Sequence, residues 1–337
     1  MWKGRSLFHE RPLWAALYVT RRCNLSCEYC ILEGKRRPDP PTIRLTTAID
    51  KLKELGLAMV VITGGEPTLR EDLVQLVAHS RRRGLVTCLN TNGTRLTSEV
   101  ADRLGAAGLD VLNISIDGLH ARAGRAKALD RSQGALEAAT VAGRRHGFEV
   151  VCSQVLSAGN IGEVGGFLDS LHRMGLSVSP NICYPLTHAF AGDGEMSRLG
   201  ACLDLIRTKK AGGYAISTSD AYLAFAERQV RERKRWECSA GRSFFAVDVD
   251  GGVSFCDRLE VERFDRLGMS IYEMNSAGLR EMAGKAKKCQ EEIGCSEDCM
   301  ANCAFETDFF IHHPLKYAMA VGGKNGNGRG DMACEFS

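Results

Sequence analysis

The sequence predicts an α/β fold built on a parallel sheet, open or closed as a barrel, followed by a smaller cysteine-rich α+β region. Three observations carry that expectation. Short runs rich in Val, Ile and Leu alternate with helical patterns from residue 13 to about 215. Polar motifs recur where those runs end. After about 215 the long periodic segments give out, yet seven of the fourteen cysteines still lie ahead.

Strands are expected over 13–20, 58–63, 86–91, 111–116, 149–155 and 176–182. Helical patterns lie between them near 44–55, 70–82, 97–107, 130–146 and 161–174, with another near 195–211. The organisation expected is a barrel unit over 13–215, a charged helical linker over 216–235 and a metal-stabilised unit over 236–337, whose thin apolar core calls for staples. The glycine-rich stretch 322–330 reads as a flexible linker leading to Cys334. In a sheet of this kind functional groups gather at the carboxyl ends of the strands. Cys23 to Cys30, Thr63-Gly64-Gly65-Glu66-Pro67, Asn90-Thr91-Asn92-Gly93 and Ser115-Ile116-Asp117-Gly118 all follow or end a strand. Four polar motifs therefore converge on one rim.

A net charge of +3 gives no reason to expect a nucleic-acid partner, and no apolar run reaches the length of a membrane span. The basic run 228–235 reads as a solvated helix face, and Arg81, Arg82 and Arg83 as the wet end of a helix. No secretory signal is visible, so clustered cysteines point to metal or redox chemistry in the cytoplasm rather than to disulfides.

Cys23, Cys27 and Cys30 are spaced C-x3-C-x2-C. Three thiolates given to a four-iron cubane leave one iron without a protein ligand, open to a small chelating molecule. Zinc is the alternative, although it prefers four ligands in paired knuckles. The spacing, with Tyr29 before the last cysteine, resembles the signature of the radical S-adenosylmethionine (SAM) superfamily. The resemblance extends in order through Gly64-Gly65-Glu66-Pro67, Thr91-Asn92-Gly93-Thr94 and Ser115-Ile116-Asp117-Gly118. It implies a partial (β/α)6 barrel and a 4Fe–4S cluster on Cys23, Cys27 and Cys30 that binds SAM. It also implies a flavodoxin- or ferredoxin-type electron donor. Gly64 and Gly65 would let the backbone approach the ligand, Glu66 beside Pro67 would face its ammonium group, and Ser115, Asp117 and Asn92 would suit ribose hydroxyls. Asn-Gly and Asp-Gly are also plain turns.

Cys238 and Cys256 frame Gly251 in a way that looks like the opening of the SPASM domain, an auxiliary iron–sulfur module of some radical SAM enzymes. Cys289, Cys295, Cys299, Cys303 and Cys334 complete seven cysteines, but the middle four run C-x5-C-x3-C-x3-C where the module has C-x2-C-x5-C-x3-C. A helix over 295–303 would spread three thiols along about 12 Å, too far for one cubane; a loop would not. The resemblance implies one or two auxiliary 4Fe–4S clusters, with two favoured. The nearer would use Cys238, Cys256 and Cys299, the farther Cys289, Cys295 and Cys334, and Cys303 would be the fourth ligand of either. The shorter twitch module, with one cluster, and a zinc-stapled tail are the alternatives.

Cys88, Cys152 and Cys202 sit in apolar patterns and read as packing. Cys183, at the end of the sixth strand, is a candidate hydrogen-atom donor, whereas His312 and His313 read as surface or core. The expected substrate is a polar small molecule of sugar, aminocyclitol or nucleoside type, oxidised, epimerised or rearranged. Only 22 residues precede Cys23, which leaves no room there for a leader-peptide-binding domain. Peptide or protein maturation is the second expectation, and a non-catalytic electron carrier the third.

Overall fold

A computed structural model describes residues 12–32, 37–122, 125–256, 267–294 and 297–312. The first six strands are β1 (Trp14–Thr20), β2 (Met59–Gly64), β3 (Val86–Thr91), β4 (Val111–Ser115), β5 (Glu149–Leu156) and β6 (Ser177–Ile182). Between and after them run α1 (Thr42–Glu54), α2 (Leu73–Arg82), α3 (Ser98–Ala106), α4 (Leu129–His146), α5 (Val164–Arg173), the single turn α6 (Leu186–Ala189) and α7 (Glu195–Ala211). All six strands pair in parallel, in the order of the chain. Every residue of β1 is buried, as a strand covered on both faces must be. The helices pack by apolar stripes: α1 buries Leu45, Ala48, Ile49 and Leu52, spaced at helical intervals.

The chain after 215 does not stand apart from this sheet. Helix α8 (Asp220–Glu232) leads to β7 (Phe244–Val247), which pairs in parallel with β1, and to β8 (Val253–Ser254), antiparallel to β7. The strand order is therefore β6-β5-β4-β3-β2-β1-β7-β8. The sequence reading missed β7 because its apolar run is only four residues long. Helices α9 (Ser276–Ile293) and α10 (Asn302–His312) follow. Arg228, Arg231, Arg233, Lys234 and Arg235 are exposed, as are Arg81, Arg82 and Arg83. No helix among the described residues is long and apolar enough to cross a membrane.

The N-terminal part of α10 ties β6, at one edge of the sheet, to β1. Asn302 Nδ2 donates to Ser179 Oγ of β6 (3.4 Å), and one turn and a half later Thr307 Oγ1 accepts from Trp14 Nε1 of β1 (3.0 Å). Trp14 is wholly buried and stacks on Phe244 of β7, with ring centroids 4.6 Å apart. One indole thus joins β1, β7 and α10. Trp14→Ala should cost about 3–5 kcal/mol of unfolding free energy, as large aromatic truncations in cores do, read as a lowered midpoint in urea.

Candidate active site

Strands β1 and β2 stay joined past their ends. The Gly65 N–H donates to Thr20 O (2.8 Å) and the Glu66 N–H to Arg22 O (2.8 Å). Gly64 has φ +143°, and a Cβ there would lie 2.2 Å from Thr20 O; one on Gly65 would lie 2.2 Å from Arg22 O. These contacts refine the sequence reading. Glycine is needed here because the chain leaving β1 crosses at backbone distance, which fixes the start of the cysteine loop.

Cys23, Cys27 and Cys30 all line a cavity of about 280 Å³ at the carboxyl ends of the strands. Gly64, Gly65, Asn92, Ser115 and Cys183 line it too, beside Thr63, Asn90, Lys127, Ser153, Asn181 and Tyr184. Cys23 Sγ accepts from the Leu25 N–H (3.4 Å) and from Asn92 Nδ2 (3.9 Å). Burial pushes the Cys23 thiol up, and pushes Cys27 up to about 11 against the pull of the Lys127 ammonium. Each of these two feels the charge of Cys30.

Three convergent thiols in one loop fit a thiolate-held cluster. Among the described residues no three His, Cys, Asp or Glu side chains close on a single metal ion. Thiolates that each hold a separate iron have no need to do so.

Glu66 is fully buried beneath this surface. Its Oε1 accepts from the Thr68 N–H (3.0 Å), Thr68 Oγ1 (2.6 Å) and Thr91 Oγ1 (2.6 Å), while Oε2 accepts from the Asn92 N–H (2.7 Å). Three donors thus crowd Oε1 and one reaches Oε2, so Oε2 is the oxygen with more room for a further donor. Pro67 opens the short 3-10 turn that Glu66 caps. Asn92 faces the cysteine loop, bonded to Asn24 Oδ1 (2.9 Å) and Thr94.

Asp117 departs from its expected place. It is 2% exposed and does not line the cavity. Its Oδ2 accepts from Tyr29 OH (2.6 Å) and pairs with Lys127 Nζ (3.4 Å), and its Oδ1 accepts from the Val155 N–H (3.1 Å). Burial would lower the Lys127 ammonium, but Asp117 and Cys27 outweigh it and raise its pKa. Burial and then Asp117 hold the Tyr29 hydroxyl well above its ordinary value. Asp117 therefore anchors the cysteine loop through Tyr29. The pairing itself was not legible, since Tyr29 and Asp117 are 88 positions apart. Ser115 does line the cavity, with its Oγ 3.4 Å from Ser153 Oγ.

Cys183 is nearly buried, while Cys88, Cys152 and Cys202 are buried in the core. In the C-terminal part, neighbours of five cysteines touch one another. Trp236 Nε1 donates to Cys299 O (2.9 Å), Ser239 Oγ to Ala304 O (3.3 Å) and Gln290 Nε2 to Ala240 O (3.2 Å). A Cβ on Gly241 would meet Ala286 and Phe255. The segments bearing Cys238, Cys256, Cys289, Cys299 and Cys303 are thereby gathered in one place. No continuous helix runs from Cys299 to Cys303: α10 starts at Asn302, so Cys299 precedes it and Cys303 lies in its first turn. Cys295, Cys334 and His313 lie outside the described residues, as does the side chain of His312.

Gly65→Ala should displace the cysteine loop without unfolding the sheet. Iron bound per chain should fall by about the share of one cluster, while far-ultraviolet circular dichroism stays unchanged.

Residues 17–156 match the Radical SAM superfamily. The Fe-coproporphyrin III synthase of Methanosarcina barkeri is 30% identical over 208 residues, 57% of this chain and 50% of that protein. The PqqA peptide cyclase of Streptomyces rochei is 35% identical over 213 residues, 60% of this chain and 58% of that protein. The chain thus spans about half the length of these curated relatives. The crystal structure of Streptococcus suis SuiB bound to S-adenosylmethionine superposes with a TM-score of 0.65 at 14% identity, over 89% of this chain and 74% of that one. A likeness at that identity speaks for the fold. Together with the cysteine loop, the glycine turn and the parallel strands beneath them, the match marks residues 17–156 as a radical SAM domain.

Proposed function

We propose that this chain is an enzyme that holds a 4Fe–4S cluster on Cys23, Cys27 and Cys30 and binds SAM beside it. The cluster, when bound, supplies the electron that splits SAM into methionine and a 5′-deoxyadenosyl radical, which takes a hydrogen atom from the substrate. The observation that carries this reading is the convergence of three thiols of one loop on the cavity at the strand ends. Lys127, held charged, places a cation at the same wall. Glu66 is proposed to take the ammonium of SAM on Oε2, its less crowded oxygen, from its buried place behind the cavity wall. Ser115 and Asn92 present polar groups toward the ribose, a role that Asp117 fills only through Tyr29. Leu25, Ile31 and Leu32 supply an apolar lining that limits water.

For the substrate we propose a polar small molecule, of sugar, aminocyclitol or nucleoside type. Asn181 supports this. Its Nδ2 donates to Ser179 O (3.1 Å), and its buried Oδ1 has no partner among the described residues, in a residue that lines the cavity. An acceptor so placed suits a hydroxyl or amine. Cys183 on the same wall is proposed as the hydrogen-atom donor to a substrate radical. Peptide maturation is the second reading, favoured by the likeness over 213 residues to the PqqA peptide cyclase. The gathered C-terminal cysteines, with Cys295 and Cys334, are proposed to hold two auxiliary 4Fe–4S clusters in a SPASM-like unit. A flavodoxin- or ferredoxin-type protein is the proposed electron donor.

Anaerobic reduction in the presence of SAM should yield 5′-deoxyadenosine and methionine in equal amounts. Replacing Cys23, Cys27 and Cys30 together with Ala should abolish both products and leave the auxiliary iron in place. Absence of deoxyadenosine from the iron-loaded wild type contradicts the proposal. Loss of all iron in the triple variant contradicts separate clusters.

A further inference from the structure

The loop that bears the three cysteines is gripped from outside the barrel sequence. Arg21, two residues before Cys23, is 4% exposed, and its guanidinium meets the carboxylate of Asp248, itself 3% exposed, in a two-point contact. The Nε–Oδ1 arm is 2.9 Å, and Nη2 faces Oδ2. Beyond Cys30, Arg37 turns back to the same place: its Nη1 lies 3.6 Å from Asp248 Oδ2 and pairs with Asp250. One carboxylate pair thus receives an arginine from each side of the cysteines. The base of the loop is closed separately, by Arg22 Nε on Asp39 Oδ2 (2.9 Å) and Thr20 Oγ1 on Asp39 Oδ1 (2.6 Å).

Asp248 and Asp250 sit in the turn between β7 and β8, and the turn is itself well determined. The Gly251 N–H donates to Asp248 O (2.9 Å), the Asp248 N–H to Gly252 O (2.9 Å) and the Gly252 N–H to Asp250 Oδ1 (2.9 Å). Gly251 has φ +92°, and a Cβ there would lie 2.1 Å from the Tyr272 ring, which in turn carries the Arg44 guanidinium at 3.7 Å from its centroid. Cys238 precedes this hairpin and Cys256 follows it directly.

We infer that Asp248 is a positioning residue for the SAM-binding loop, and that through it the cysteine-flanked hairpin of the C-terminal segment sets the geometry of the first cluster site. A buried bidentate pair has one low-energy arrangement, and its loss leaves the remaining charge buried without a partner. The hairpin is therefore one of the holds that keep the loop in place. This rests on the proposed role of Cys23, Cys27 and Cys30, but its first readout needs no iron.

The test uses full-length chains carrying Asp248→Asn, Asp250→Asn and the charge exchange Arg21→Asp/Asp248→Arg. In metal-free protein, Asp248→Asn should speed hydrogen exchange of the amides over 22–32 at least tenfold, with β3 and β4 unchanged. In iron-loaded protein it should raise the Kd for SAM about tenfold and alter the electron paramagnetic resonance signal of the reduced, SAM-bound site. Asp250→Asn, on the exposed arm, should give the same changes in smaller measure and guards against a first variant that fails to fold. The charge exchange should bring loop exchange and SAM affinity only part of the way back, because Arg37 also faces position 248. Unchanged loop exchange and unchanged SAM affinity in Asp248→Asn overturn the inference, as does exchange that rises equally throughout the chain. A wild type that makes no 5′-deoxyadenosine defeats the proposed function instead and leaves the loop measurement standing.

Discussion

The candidate site starts from two backbone hydrogen bonds made where no side chain could fit. Gly65 and Glu66 donate to Thr20 and Arg22 just past the ends of β1 and β2, at a spacing that a Cβ on either glycine would break. That crossing launches the cysteine loop in a single direction and turns Glu66 inward. Among the described residues the buried carboxylate has no cation partner. It is held by donors from Thr68, Thr91 and the Asn92 backbone, and so ties the end of β3 to the ends of β1 and β2. Charge buried without such donors would be costly.

The far side of the loop is held by different physics. Tyr29, Asp117 and Lys127 form a part-buried polar cluster that joins the loop to the end of β4, with the Lys127 ammonium 5.0 Å above the Tyr29 ring. Next to β6, the loop behind the cavity wall is braced by the C-terminal part. Asp298 O accepts from the Leu186 N–H (3.1 Å), and its carboxylate accepts from the Thr187 N–H (2.9 Å) and Thr187 Oγ1 (2.5 Å). Cys299 follows directly. The segment that carries two C-terminal cysteines thus bears on the loop just beyond Cys183 and Tyr184, which line the cavity.

Much of the fold was legible because its signals are local. Each of the six parallel strands is an apolar run bounded by turn residues, and periodicity alone locates it within a residue or two. The rim was legible for the same reason, since Cys23 to Cys30, Gly64 to Pro67, Asn90 to Gly93 and Ser115 to Gly118 are contiguous stretches at strand ends. What escaped depends on contacts between distant residues. Asp117 reads as a ribose ligand until Tyr29 and Lys127 are seen to occupy it. Gly64 and Gly65 read as making room for a ligand, whereas the nearest obstacle is Thr20 and Arg22. Strand β7 is four residues long, and only its pairing with β1 makes it part of the sheet.

Electron–nuclear double resonance on the reduced, iron-loaded chain with SAM labelled by nitrogen-15 at the methionine amino group tests the central claim most directly. If three thiols of one loop leave an iron open to SAM, a nitrogen-15 coupling to the cluster spin appears. It should vanish in the Cys23, Cys27 and Cys30 triple alanine variant. A wild-type spectrum with no nitrogen-15 coupling, from protein shown to have bound SAM, would contradict it.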